Sequence, residues 1–484
     1  MNRLRTVLAA CFCGILSNNL HAAEPMRPTH QTAVADVDGR QTELNETNKA
    51  IWEFAEVGLE ETRSSALLVE KLKKAGFKVR TGVADMPTAF VAEFGTGKPV
   101  IGILAEYDAL PGLSQKVSPQ RDPVVADAPG HGCGHSGLGT ASLGAALAVK
   151  AAIEKHGLKG TVRLYGTPAE ETLIGKVYMT LAGEFKDLDA CLHWHPGFRN
   201  DVWYGESKAA VSAKFTFNGV TAHASGSPDK GRSALDGVEL MNVGANFMRE
   251  HLKEDARVHY VITNGGGAPN VVPAKATVWY YVRANNHADV ERNFAWLRDI
   301  ADGAAKMTRT TVNVQIDTDC HEIIPNDPLS AIMLTNLERV GPPKFTPEEH
   351  AFARRLQESV TREFGTTFKL ALDEEVHRLA KTGTGSGSTD VGDISWHVPT
   401  GGLRTACFAY DAPGHSWQNV AAIGSSIGEK GISYAAKVLA CTTLDLLEDP
   451  KSLTAAKADF SKRMEERKYI TLIPEGQKAP KSIR

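Results

Sequence analysis

The segment His131-Gly132-Cys133-Gly134-His135 sets a thiol between two imidazoles, with a glycine on each side of it. Thiolate and imidazole suit a borderline-soft divalent ion such as Zn²⁺, and imidazole also accepts Mn²⁺, Co²⁺ or Ni²⁺. The one-residue gap turns Cys133 and His135 the same way where the chain is extended, and the glycines let backbone and ion approach closely. A cysteine taken alone is by default a packed core residue. Two flanking histidines argue instead for a ligand. In Pro168-Ala169-Glu170-Glu171, adjacent carboxylates on an extended loop face opposite ways and so suit two tasks. One can hold an ion while the other acts as general base on the ion's water. Paired acids also fit an ordinary helix start, where the dipole favours them.

His193-Trp194-His195-Pro196 and Gly414-His415-Ser416 add further imidazoles. Together the segments supply Cys133, His135, Glu171, His193 and His415. Five ligands exceed a tetrahedral catalytic zinc with its open position. They match two divalent ions, zinc or manganese, that share a ligand and hold a water between them. A different enzyme reading makes Cys133 a nucleophile with His131 or His135 as its base. A reading from another class is a binding protein whose ions are structural.

These residues must be gathered by the elements that precede them. Residues 100–105, 162–165, 190–192 and 406–409 are short apolar runs. Each ends in a segment carrying acids or histidines. Helical patterns at 45–56, 63–75 and 138–155 accompany them. Short buried runs separated by helices predict a mostly parallel sheet, whose site lies beyond the carboxyl ends of its strands. The middle of the chain changes character. Strand patterns at 211–218, 258–263, 276–282 and 311–317 and helical patterns at 233–251 and 287–308 follow the order β-α-β-β-α-β, a split βαβ unit. The expected fold is therefore α/β: a mixed, mostly parallel sheet flanked by helices, with an inserted α+β domain. The expected catalytic domain is 24–206 and 325–484, interrupted by the insertion at 207–324. Pro325-Asn326-Asp327-Pro328 marks the return. Residues 338–363 read as helix plus surface connection, and 451–484 as a charged helix with a Pro- and Lys-rich tail.

The 484 residues carry 54 basic and 57 acidic side chains, for a net charge of −3, with 42% hydrophobic residues. That balance fills a sizeable core and argues against a nucleic-acid partner. Arg3 and Arg5, a mostly apolar run to Leu16, a break at Ser17-Asn18-Asn19 and small residues at Ala22-Ala23 form an export-signal pattern over residues 1–23. Export, a periplasmic location after cleavage near Ala22 or Ala23, and no membrane span in the mature chain are the resulting expectations. Cys133, Cys191, Cys320, Cys407 and Cys441 would remain, an odd and widely spaced set that makes no disulfide framework. The glycine-rich stretch at 382–388 lacks a Gly-Lys-Ser/Thr ending and is not a phosphate loop.

The constellation resembles the co-catalytic metallopeptidase family of carboxypeptidase G, aminoacylase and the auxin-conjugate amidohydrolases. The matching segments are Ala-Glu-Tyr-Asp-Ala-Leu-Pro at 105–111, the thiol–imidazole segment at 131–135, Pro-Ala-Glu-Glu at 168–171, His-x-x-Pro at 193–196 and Gly-His-Ser at 414–416. Two segments of the insertion, 219–225 and 266–273, match as well. The 131–135 segment and Ser388-Thr389-Asp390-Val391-Gly392-Asp393 look most like the aminobenzoyl-glutamate hydrolases of that family. The resemblance implies amide hydrolysis of N-acyl or N-aroyl amino acids, with Glu170 as general base and Cys133, His135, Glu171, His193 and His415 as metal ligands. It implies Asp108 as the carboxylate that orients a ligand, and His223 as a lid histidine that reaches a partner subunit's site and steadies the oxyanion. Asn270 and Arg283 match substrate-contacting lid positions. His195 competes with His193, and the family spacing to Pro196 favours His193. A homodimer through the insertion is implied, with a second, different subunit also open. A dipeptidase or carboxypeptidase of the same family is the nearest alternative. Ser136 departs from the family, which often has Asp or Asn there.

Overall fold

The computed structural model describes residues 26–378, 385 and 387–482. The expected export signal and most of the glycine-rich stretch lie outside the described residues.

Eleven strands form two sheets among the described residues. The larger contains β1 (Lys78–Thr81), β2 (Phe90–Thr96), β3 (Val100–Ala105), β4 (Gly160–Gly166), β5 (Ala190–Gly197), β6 (Asp201–Val202) and β11 (Thr400–Ala406). Its order is β1-β2-β4-β3-β5-β11-β6. The central four strands, β4-β3-β5-β11, are parallel, and β1, β2 and β6 run antiparallel to their neighbours at the edges. All six residues of β3 are buried, as a strand covered by helices on both faces requires.

One face is covered by the helices His135–His156 and Ser426–Glu448, which pack on each other and on Pro28–Gly39 and Gln41–Phe54. His135–His156 is apolar and long enough to cross a membrane, but it is buried in the core. Its small residues permit that close packing: a Cβ at Gly144 would press on Leu44 at 3.1 Å. The opposite face carries Gly175–Leu181 and Val391–Ser395.

The second sheet contains β7 (Ala209–Asn218), β8 (Arg257–Asn264), β9 (Lys275–Ala284) and β10 (Thr311–Cys320), in the order β10-β7-β9-β8 with every pair antiparallel. Alternate residues of β9 are buried against the helices Ala234–Arg249 and His287–Thr308, the period-2 pattern of a one-faced sheet. Chain order through this unit is β-α-β-β-α-β.

Three elements differ from the pattern read in the sequence. The last parallel strand is Thr400–Ala406 rather than 406–409, because Gly401 and Gly402 interrupt the apolar signal. Both glycines are steric requirements: a Cβ at Gly401 would meet Leu329 at 2.8 Å, and one at Gly402 would overlap the His193 ring. Residues 338–363 fall in two helices, Asp327–Val340 and Pro347–Phe364, the second opened by a Thr346/Glu349 capping box. Pro28–Gly39 was not legible, since the positions it buries (Thr29, His30, Ala33, Val37) form no apolar stripe.

Candidate metal centre

Four chain segments meet beyond the carboxyl ends of β3, β4, β5 and β11. After β3 come Glu106 and Asp108, 3% and 1% exposed. After β4 comes a 3-10 turn over Glu170–Thr172, entered and left through left-handed residues Ala169 and Leu173. That double reversal turns Glu170 and Glu171 to different partners. Gly134, at φ +87°, bends the chain from the Cys133 loop into the helix that begins at His135. A residue with a Cβ is strained in this left-handed region.

Asp108 organises the centre. Its Oδ1 lies 2.8 Å from His135 Nδ1, and its Oδ2 accepts the Glu171 backbone N–H at 2.9 Å. With Nδ1–H donated to Asp108, the Nε2 lone pair of His135 is left to face Glu106 Oε2 at 3.3 Å and Glu170 Oε2 at 3.8 Å. His195 is arranged alike: Nδ1 donates to the Pro196 carbonyl at 2.7 Å, and Nε2 approaches Cys133 Sγ at 3.2 Å. Glu171 Oε2 lies 3.4 Å from His415 Nε2.

Three groups of metal-type donors result, each within 4.8 Å: Cys133, His135 and His195; Cys133, Glu171 and His415; Glu106, His135 and Glu170. Cys133 and His135 each belong to two of them. Within this set His135 Nε2, Glu106 Oε2 and Glu171 Oε1 are buried without a hydrogen-bond partner. Buried polar atoms are normally satisfied, so converging orphans of this chemistry fit divalent cations.

The electrostatics point the same way. Burial, with Glu106 and Asp390 adding to it, raises the Glu170 carboxyl well above its ordinary range. Burial and then Asp108 and Glu106 push Glu171 up to about 8. Burial holds His195 down at about 4, so its ring stays neutral. The Cys133 thiol is raised by burial and by Glu171. A raised thiol is a poor nucleophile. His131 does not face it: its Nε2 lies 3.0 Å from the Ile51 carbonyl.

The expected ligand His193 is not brought to this cluster; His195 is. Both project from the same face of β5, two residues apart, but His193 sits one pleat deeper. It pairs in register with Gly402 on β11 and packs on Trp203 at 5.3 Å. Only the residue nearer the strand's end reaches the rim where Cys133 lies. Arg283 lines the same cleft, of about 560 Å³, as Cys133, Glu170, Glu171, His195 and His415. His223 and Asn270 do not line it. They lie together and exposed on the second-sheet unit. There His223 bridges to Val271, Ala224 N–H donates to the Asn270 carbonyl at 3.0 Å, and His223 Nδ1 accepts from Gly226 N–H at 3.0 Å. A larger depression of about 730 Å³ on that unit, lined by residues such as Asp236, Glu239 and Met307, contains no thiol or imidazole.

Sequence reasoning missed Glu106, Lys176 and Asp390. Lys176 is fully buried, 2.8 Å from Glu106 Oε1 and 2.6 Å from Asp390 Oδ1. Burial opposes its charge, but Asp390, Glu106 and Glu170 hold the ammonium protonated. Glu106 was visible in the Ala-Glu-Tyr-Asp segment at the end of an apolar run. Lys176 carried no local signal.

Comparison with known proteins follows this geometry. The peptidase dimerisation domain family matches residues 205–308. The chain is 42% identical over 447 residues to one of the two subunits of p-aminobenzoyl-glutamate hydrolase of Escherichia coli (strain K12), covering 88% of this chain and 93% of that protein. It is 28% identical over 453 residues to Xaa-Arg dipeptidase of Mus musculus, covering 90% and 93%. A Bacillus subtilis structure described as a dinuclear metal binding peptidase from the M20 family superposes with a TM-score of 0.53 at 17% identity, covering 85% of this chain and 99% of that one.

Proposed function

This chain belongs to the M20 family of peptidases and amidohydrolases, and from that premise we propose that it hydrolyses the amide bond of N-acyl or N-aroyl amino acids, p-aminobenzoyl-glutamate among them. The observation that carries the reading is the convergence of Cys133, His135, Glu171, His195 and His415, with Glu170 beside them. Those five residues would hold two divalent ions, zinc or manganese. Bound there, the ions supply a Lewis acid for the substrate carbonyl and lower the pKa of water.

The chain's own groups do the rest. Asp108 fixes the His135 tautomer and the Glu171 turn, so two ligands are set before substrate arrives. Glu170 takes the proton of the attacking water and delivers it to the leaving amine. Its environment, dominated by burial, suits a group that must hold a proton between those events. Arg283 offers its guanidinium to a substrate carboxylate. His223 and Asn270 are assigned to the cleft of a second copy. Exposed apolar residues on the second-sheet unit, Val261 and Ile262 on the edge strand β8 and Phe247 on the adjoining helix, support pairing of that unit. The two-subunit make-up of the E. coli hydrolase leaves a different second subunit as the alternative partner. The same reading keeps export to the periplasm for residues 1–23.

A hydrolysis panel of aminobenzoyl-glutamate, acyl amino acids and dipeptides, with and without added metal, tests the activity. Glu170→Gln should lose about 10²- to 10⁴-fold in kcat with metal content unchanged. A loss under tenfold would remove Glu170 from that role. Mixing Glu170→Gln with His223→Ala chains should restore activity if His223 acts across a dimer.

A further inference from the structure

Three arginines line the cleft: Arg199, Arg283 and Arg404. Arg404 is neutralised, its Nε donating to Asp201 at 2.8 Å. The other two have no carboxylate within ion-pair distance among the described residues. Arg283 donates Nη1 to the Ser388 hydroxyl at 3.1 Å.

Arg199 lies four residues beyond His195, just past the end of β5. Its guanidinium is sandwiched between two rings, 5.2 Å from the Phe198 centroid and 5.3 Å from that of Tyr410. It donates Nη2 to the Tyr410 hydroxyl at 2.8 Å, and its Nε is buried with no acceptor. Stacking and one neutral hydrogen bond fix the plane of the fork without cancelling its charge. A positioned, unneutralised cation in a cleft is the arrangement that a ligand carboxylate completes with a bidentate pair. One such group accounts for the carboxylate that every N-acyl amino acid carries. A second calls for another.

We propose that the cleft is built for N-acyl amino acids with an acidic side chain, Arg283 taking one carboxylate of the substrate and Arg199 the other. The inference rests on the amidohydrolase reading and narrows it. Arg199 is then the residue that sets specificity. A neutral side-chain amide of the same shape leaves its charge unpaired in the cleft, which is the strongest form of rejection a polar site can make.

The test compares kcat/KM for aminobenzoyl-glutamate and the isosteric aminobenzoyl-glutamine, using the metal-loaded full chain. The wild type should favour the glutamate compound at least tenfold. Arg199→Met should lose about ten- to a hundredfold on that compound, mainly through KM, and stay within threefold on the glutamine compound. Arg199→Lys keeps the charge but not the fork and should fall between. An unchanged ratio in either variant, or equal losses on both substrates, overturns the proposal. If Arg199→Met does not fold, the lysine variant decides alone. A wild type that cleaves both compounds equally refutes the inference and leaves the amidohydrolase reading standing. A wild type that cleaves neither sinks the amidohydrolase reading. Calorimetric titration of the two compounds then decides the inference, with equal affinities overturning it.

Discussion

Replacing Asp108 by Asn is the sharpest probe of how the centre is preorganised. The side chain is 1% exposed, and each oxygen already accepts from a donor: His135 Nδ1–H at 2.8 Å and the Glu171 N–H at 2.9 Å. Asparagine has the same shape but must turn an NH₂ toward one of them. Turned toward Glu171, it sets donor against donor and displaces the 170–172 turn. Turned toward His135, it forces the ring to accept at Nδ1 and carry its proton on Nε2, the atom left to face Glu106 and Glu170. Either way one charge-assisted hydrogen bond is lost, about 1.5–3 kcal/mol. Metal affinity should fall about 10- to 100-fold, equivalent to about 1.4–2.8 kcal/mol. Metal content after dialysis and a chelator competition give the affinity, and a thermal melt separates it from unfolding. Because the defect lies in binding, excess metal should restore most of kcat. An Asp108→Asn chain that holds metal within threefold of wild type would refute the argument that Asp108 acts by fixing its two neighbours.

His195→Ala should lose metal, measured by elemental analysis, whereas His193→Ala should keep it and lower only the melting temperature, since His193 packs on Trp203 away from the donor groups. Lys176→Met leaves Glu106 and Asp390 buried without their cation. It should cost about 3–5 kcal/mol, a fall in Tm of about 10 °C, and Asp390→Asn added to it should recover part of that loss. His30 is fully buried, and burial, with Arg27 and Arg339 adding to it, lowers its pKa to about 3. In the window from about 6.5 down to 3 the unfolded chain binds this proton and the folded chain does not. The His30 contribution is therefore fully present above pH 6.5 and lost at about 1.4 kcal/mol per pH unit as pH falls through the window. Denaturant melts of His30→Gln should show a flatter acid limb than wild type; parallel limbs would contradict the assignment.

Much of the architecture was written in local pattern. Residues 100–105 are apolar without interruption, and β3 has those bounds. The alternation at 211–218 and the two amphipathic helices of the middle segment follow from periods of 2 and 3.6 that any short window contains. The order β-α-β-β-α-β could be read off directly, and the glycine-flanked thiol and the paired glutamates announced their chemistry by composition alone. Strand β11 escaped because its glycines answer to bulk on neighbouring elements, the His193 ring and Leu329, that no local window includes.

The choice between His193 and His195 belonged to the tertiary structure, because it turns on which residue reaches past the end of β5 and which stays opposite Gly402. The same holds for Glu106, Lys176 and Asp390, drawn from positions as far as 284 residues apart in the numbering of the chain. Residue type and spacing determine what a side chain can do and which element carries it. Which side chains share a low-dielectric pocket, and so set one another's charge, is fixed only when strands from distant segments come into register.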